Sequence, residues 1–165
     1  MSINPYKPPG SDSSRNPEPP AGPRSLLGAV TLGLVVDVGG SLAVGMVLTG
    51  VYAAQLRSRG VPDAELAAAV RAMPHDSAMY VAALLVAIGL SVLGGYVCAR
   101  AARRDEYRPG LMMAVTSALF GMTVDSLSGE FTDMTLLLAL TGFACNLLGV
   151  KYGAQHNRRA EAASP

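Results

Sequence analysis

Four long runs of this chain carry almost no charge, and that property most limits what the chain can fold into. They cover about residues 25–52, 77–99, 109–124 and 131–150. A helix needs about 20 mainly apolar residues to cross a bilayer. The first run exceeds that length and can tilt, and the third lies near the lower limit. In lipid every backbone N–H and C=O must be satisfied within the protein, so spans of this length are expected to be helical. Only 15% of the 165 residues are charged, against about 25% in a soluble domain, and those charges sit in the tails and connections. The expected fold class is all-α, an integral membrane four-helix bundle with a disordered N-terminal tail.

Residues 1–24 hold seven prolines and four serines and hardly any large apolar residue. Such a segment cannot bury enough surface to offset its ordering entropy, so a disordered tail is expected. It is too long and too mixed in charge for the n-region of a signal peptide. The four spans make up a domain of residues 25–152, and residues 153–165 read as a flexible C-terminal tail. In the first connection Pro62-Asp63-Ala64-Glu65 opens a short helix. Leu66, Ala69, Val70 and Met73 lie on one side of it, and Pro74 stops it. This helix is expected to lie against the bilayer or the bundle.

Four spans put both termini on one side. Ten of the thirteen Lys and Arg lie in the two tails and the second connection. The first connection has only Arg57, Arg59 and Arg71, and the third has none. This bias places both termini and the second connection in the cytoplasm.

Membrane helices associate through close packing of small residues and through interhelical hydrogen bonds. Each span offers a stripe for this: Gly33, Asp37, Ser41, Gly45 and Thr49 in the first, and Ala87, Ser91, Gly95 and Cys98 in the second. The third has Met113, Ser117, Gly121 and Asp125, and the fourth has Thr135, Ala139, Gly142, Asn146 and Gly149. The stripes predict a compact bundle with a closely packed interior.

Asp37 stands out within them. Thirteen residues from Arg24, at about 1.5 Å each, it falls near mid-membrane. An ionisable group there marks a functional site by default. Counting inward from Arg100, Arg108 and Lys151 brings Ser91, Ser117 and Thr141 to the same depth. Ser41 follows one turn along the first span, and Asn146 is expected about a turn nearer the cytoplasm. The candidate intramembrane polar site is therefore Asp37, Ser41, Ser91, Ser117, Thr141 and Asn146. No Lys or Arg shares this depth, so Asp37 is expected to rest neutral, donating to a hydroxyl, amide or carbonyl. As a polar clamp it holds helices together. As a relay it handles protons or cations.

Motifs of catalysis are missing. There is no Gly-x-Ser-x-Gly elbow, His-Glu-x-x-His pair or P-loop. His75 and His156 fall in separate polar segments, and His75-Asp76 reads as a capping pair. Cys98 and Cys145 lack metal-site spacing. They read as buried small hydrophobes, with acylation of Cys98 as the alternative. Asp125, Glu130 and Asp133 read as a solvated acidic turn, with an oxygen-ligand cation site as the alternative. No catalytic residue, metal or cofactor is expected. Nor is nucleic acid binding, since no basic patch interleaves with aromatics.

Two stretches carry a resemblance. Asn4-Pro5-Tyr6-Lys7-Pro8-Pro9 resembles an Asn-Pro-Tyr-x-x-Pro tag at the start of many small bacterial multi-span proteins. Asp37-Val38-Gly39-Gly40-Ser41, followed by Gly94-Gly95-Tyr96-Val97-Cys98-Ala99-Arg100, is similar to a pattern in bacterial four-span inner-membrane families. There an Asp sits in the first span and Gly-Gly-Tyr-x-x-Ala-Arg closes the second. The resemblance implies a multi-pass protein of the bacterial cytoplasmic membrane and supplies no activity. The leading functional reading is a structural or interaction role. Its partners are the bilayer and other membrane proteins or further copies of the chain. The alternative is a small transporter or channel component using Asp37 as a proton or cation site.

Overall fold

A computed structural model describes residues 25–163 apart from His75, Arg104 and Glu130. The expected disordered tail, 1–24, lies outside the described residues. Five helices form, with no strand among the described residues. Four are long and apolar enough to cross a membrane: α1 (Leu26–Ser58), α3 (Ala78–Ala102), α4 (Tyr107–Leu127) and α5 (Asp133–Ala162). The short α2 (Asp63–Arg71) links the first two. The all-α bundle is as the apolar runs predict.

Local chemistry explains where the helices begin. Ser25 caps α1 by accepting from the Gly28 amide at 3.1 Å, and Ser77 caps α3 by accepting from Tyr80 at 3.2 Å. Each satisfies one of the N–H groups that a helix start leaves unpaired. The cap of α3 is thus Ser77; His75, half of the expected capping pair, lies outside the described residues. Thr132 and Thr135 form a reciprocal capping box at the start of α5. α1 and α4 are followed by Gly60 and Gly129, at φ +86° and +71°, a conformation that costs glycine nothing. Pro62 precedes α2, whose first turn holds Asp63 and Glu65. The Arg57 guanidinium pairs with Asp63 at 2.8 Å across that corner, an exposed contact of little energetic weight.

The helices run past the apolar boundaries. α5 continues to Ala162, where a flexible tail from residue 153 is expected. Lys151, Gln155, Arg158 and Arg159 are good helix formers, and Gly153 and Ala154 are buried against α3. Asn157 donates its amide to the Ala99 carbonyl at 3.0 Å and to Glu106 at 3.2 Å. The Ala99 carbonyl also accepts from the Arg103 amide at 3.4 Å, so Asn157 adds a second donor at the end of α3.

α1, α3, α5 and α4 form a ring in that order, with α3–α5 the most extensive pairing. The start of α1, the ends of α3 and α5, and the start of α4 share one end of the bundle, here the terminal end. Packing there is close because glycines bring backbones together. A Cβ on Gly149 would meet the Val92 carbonyl and the Tyr96 amide, and one on Gly95 would meet the Asn146 carbonyl. Gly33 and Gly94 oppose each other in the same way between α1 and α3. Ala29, Val30, Cys98, Ala102 and Met113 form the core of this half. Cys98 is fully enclosed, which excludes it as an acylation point in this fold.

The far half differs. A Cβ on Gly45, Gly89, Gly121 or Gly142 would meet nothing within 4 Å. The stripes were expected to pack closely along their whole length. They do so in the terminal half and line open space in the far half. The change follows a π-helical turn in α1 at Val35–Gly39. A π turn adds a residue to the repeat, and Ser41 beyond it still lines the same groove as Asp37. Beyond this turn α1 stays packed on α3, while its extensive packing on α4 is confined to the residues before it.

Candidate functional site

Asp37 sits in the middle of the π turn and is only 3% exposed. Gly94 lets it approach α3, since a Cβ there would lie 2.8 Å from the Asp37 Cβ. Each of the other three spans then supplies a donor to the carboxyl group. From α3, Ser91 Oγ donates to Oδ1 at 2.8 Å. From α4, Ser117 Oγ donates to Oδ2 at 2.6 Å. From α5, Asn146 Nδ2 donates to the same Oδ2 at 3.0 Å. All four spans meet at this one side chain. Both carboxyl oxygens of Asp37 are therefore hydrogen-bonded, Oδ1 once and Oδ2 twice.

Acceptor capacity is left over. A carboxylate offers about four lone-pair sites, and three are used here, leaving one on Oδ1. Asn146 is 1% exposed, and its own Oδ1 is buried with no partner. A buried unpartnered acceptor is costly and rare. Asp37 borders the adjoining groove, which no Lys or Arg lines, whereas the Asn146 oxygen does not line it.

That groove, of about 310 Å³, runs between α1 and α4 from Asp37 towards the far end. Ser41, Ser91, Ser117 and Asp125 are its polar lining, and Leu42, Phe120 and Val124 are among its apolar lining. A smaller recess of about 180 Å³ shares Ser117, Gly121 and Asp125 and reaches Thr135 and Gly142 on α5. The Ser117-Gly121-Asp125 face of α4 therefore borders both recesses. On the other side of Asp37 the packed terminal half closes the bundle.

Of the six candidate residues, Asp37, Ser91, Ser117 and Asn146 come together. Ser41 lines the groove one turn further on and makes no hydrogen bond to Asp37. Thr141 does not join, because its hydroxyl donates to the Leu137 carbonyl of its own helix at 2.8 Å. Asn146 takes its place. The depth count from Lys151 placed the membrane edge too early in a helix that runs to Ala162. The glycine contacts of Gly95 and Gly149 set the true register.

Asp125 was not among the six and was read as part of a solvated turn. It lies within α4, half-buried, facing the groove. Its four-residue spacing from Ser117 and Gly121 was the available signal. The alternative metal reading of Asp125, Glu130 and Asp133 gains nothing, since no three potential metal ligands cluster among the described residues and Glu130 lies outside them. His156 meets Tyr96, with its Nδ1 3.3 Å from the phenol oxygen.

The chain matches no family model, no curated protein and no solved structure.

Proposed function

We propose that this membrane bundle is a small transporter component in which Asp37 binds a proton or a small cation. The observation that carries this reading is the groove that reaches Asp37. A carboxyl group serving only as a clamp would be expected inside a packed interior, where its partners saturate it. Asp37 instead ends an open, carboxylate-lined recess and keeps acceptor capacity. The π turn that carries it is a feature frequent at functional sites. With both termini in the cytoplasm, as the Lys and Arg bias indicates, the recess lies in the outer half of the bundle.

A structural role remains the second reading. It is favoured by the three hydrogen bonds that tie α3, α4 and α5 to Asp37. Proteoliposome flux separates the two. Under a proton gradient or with a labelled methylammonium gradient, the unmodified protein should move its ion and Asp37→Asn should not. Absence of flux and of cation binding in the unmodified protein would leave the structural reading.

A further inference from the structure

The groove has a carboxylate at each end. Asp37 forms its floor, and Asp125 lies on α4 eight residues beyond Ser117, which bonds Asp37 at 2.6 Å. At about 1.5 Å rise per residue, eight residues separate the two levels by about 12 Å. Side chains on a helix lean towards its N-terminus, which tilts Asp125 towards Asp37. Asp125 makes no hydrogen bond or ion pair to any described residue, and no cationic side chain lines the groove. The wall between the two acids is largely apolar, with Leu42, Phe120 and Val124. Gly121 leaves the path clear, since even a Cβ there would touch nothing within 4 Å.

Two carboxyl ends with an apolar middle match the pattern of a dication, which would hold both in their ionised form. Each ammonium group sits about 3 Å from its carboxylate. With Asp125 leaning towards Asp37, that leaves at most about 6 Å between the two nitrogens, within the reach of a chain of four or five carbons. We propose that the ligand of this site is a linear alkyl diamine, with one ammonium on Asp37 and Ser91 and the other on Asp125. This rests on the cation-binding reading above and names its substrate class. A bare metal ion would use one end only, and a proton would need no groove of this volume.

Binding to the purified protein in nanodiscs, measured by calorimetry, tests the proposal with four probes: 1,4-diaminobutane, 1,5-diaminopentane, butylamine and 1,10-diaminodecane. The two short diamines should bind at least tenfold more tightly than butylamine, and the long one should lose that advantage. Asp125→Asn should bring the short diamines down to the affinity of butylamine. Gly121→Leu, which fills the groove, should abolish diamine binding while the protein still elutes as a folded species. Equal affinities of diamine and monoamine in the unmodified protein would overturn the diamine assignment. So would an Asp125→Asn variant that keeps the diamine preference. If butylamine binds as tightly as the diamines and Asp37→Asn removes both, the diamine proposal fails and the cation site stands. If no amine binds and no flux is seen, the cation site fails with it.

Discussion

Replacing Asp37 with Asn and with Leu separates hydrogen bonding from charge, and the geometry gives different magnitudes for the two. In Asp37→Asn the amide oxygen can take the place of Oδ2 and accept from Ser117 and Asn146. The new NH₂ then faces Ser91, whose hydroxyl can turn to accept. One hydrogen bond reverses and none is lost, so the cost should stay below about 0.5 kcal/mol. Asp37→Leu removes both carboxyl oxygens and all three hydrogen bonds. Ser91 and Ser117 have a local outlet, because a membrane Ser or Thr can bond the carbonyl one turn back. Thr116, Thr123 and Thr141 all do so in this protein. Asn146 has no such recourse. Its carbonyl oxygen is already unpartnered, and its NH₂ would join it at a site 1% exposed. Three interhelical bonds at about 0.6 kcal/mol each, plus about 1–3 kcal/mol for the orphaned amide, give a loss of about 3–5 kcal/mol. Cys98 supplies the assay. It is fully enclosed in the terminal half, so on a Cys145→Ala background a thiol-reactive fluorogenic dye reports unfolding directly. The Asn variant should melt within a few degrees of the parent, and the Leu variant far below it. Equal melting of the two variants would refute the assigned hydrogen-bond set.

Two further expectations follow from the packing and the charge pattern. Gly149→Ala should cost about 1–3 kcal/mol, the usual range for overpacking, because its Cβ would press on the backbone at Val92 and Tyr96. Gly142→Ala, facing open space, should be neutral in the same dye assay. For orientation, Ser58→Cys and Ser128→Cys should label with an impermeant maleimide from outside intact cells. Tyr107→Cys should label only after permeabilisation, and the opposite pattern would reverse the topology.

The sequence makes the spans legible because a bilayer imposes one condition, an uncharged run of sufficient length, and this chain meets it four times. The starts of the helices were also readable: the spans expected at residues 25, 77 and 131 begin at Leu26, Ala78 and Asp133. The ends were not. Hydropathy falls at Tyr52 and Val150, while helix propensity does not, so α1 and α5 run on to Ser58 and Ala162. Asp37, Ser91 and Ser117 were found together because counting from Arg24, Arg100 and Arg108 measures nearly the same depth. Thr141 was misplaced because Lys151 does not mark an edge. The π turn was invisible, since Val35–Gly39 has no composition that distinguishes a π turn from an α turn. Beyond it α1 packs on α3 without extensive packing on α4, and Asp125 borders the groove between α1 and α4.

The position of the π turn ties the two halves of the bundle together. Before it, Gly33 rests on Gly94, and α1 packs against both α3 and α4. After it, Gly40 lies against Leu90 on α3 while the groove opens towards α4. The carboxyl group therefore sits on the last rigidly held turn and faces the first open one. Rigid support below a site fixes the geometry of its donors, and space above it admits a ligand. Substitutions in the terminal half, such as Gly149→Ala, should act mainly on stability. Substitutions in the far half, such as Asp125→Asn, should act mainly on binding. Only at Asp37 should the two effects coincide, with Asn separating them by keeping the hydrogen bonds and removing the charge.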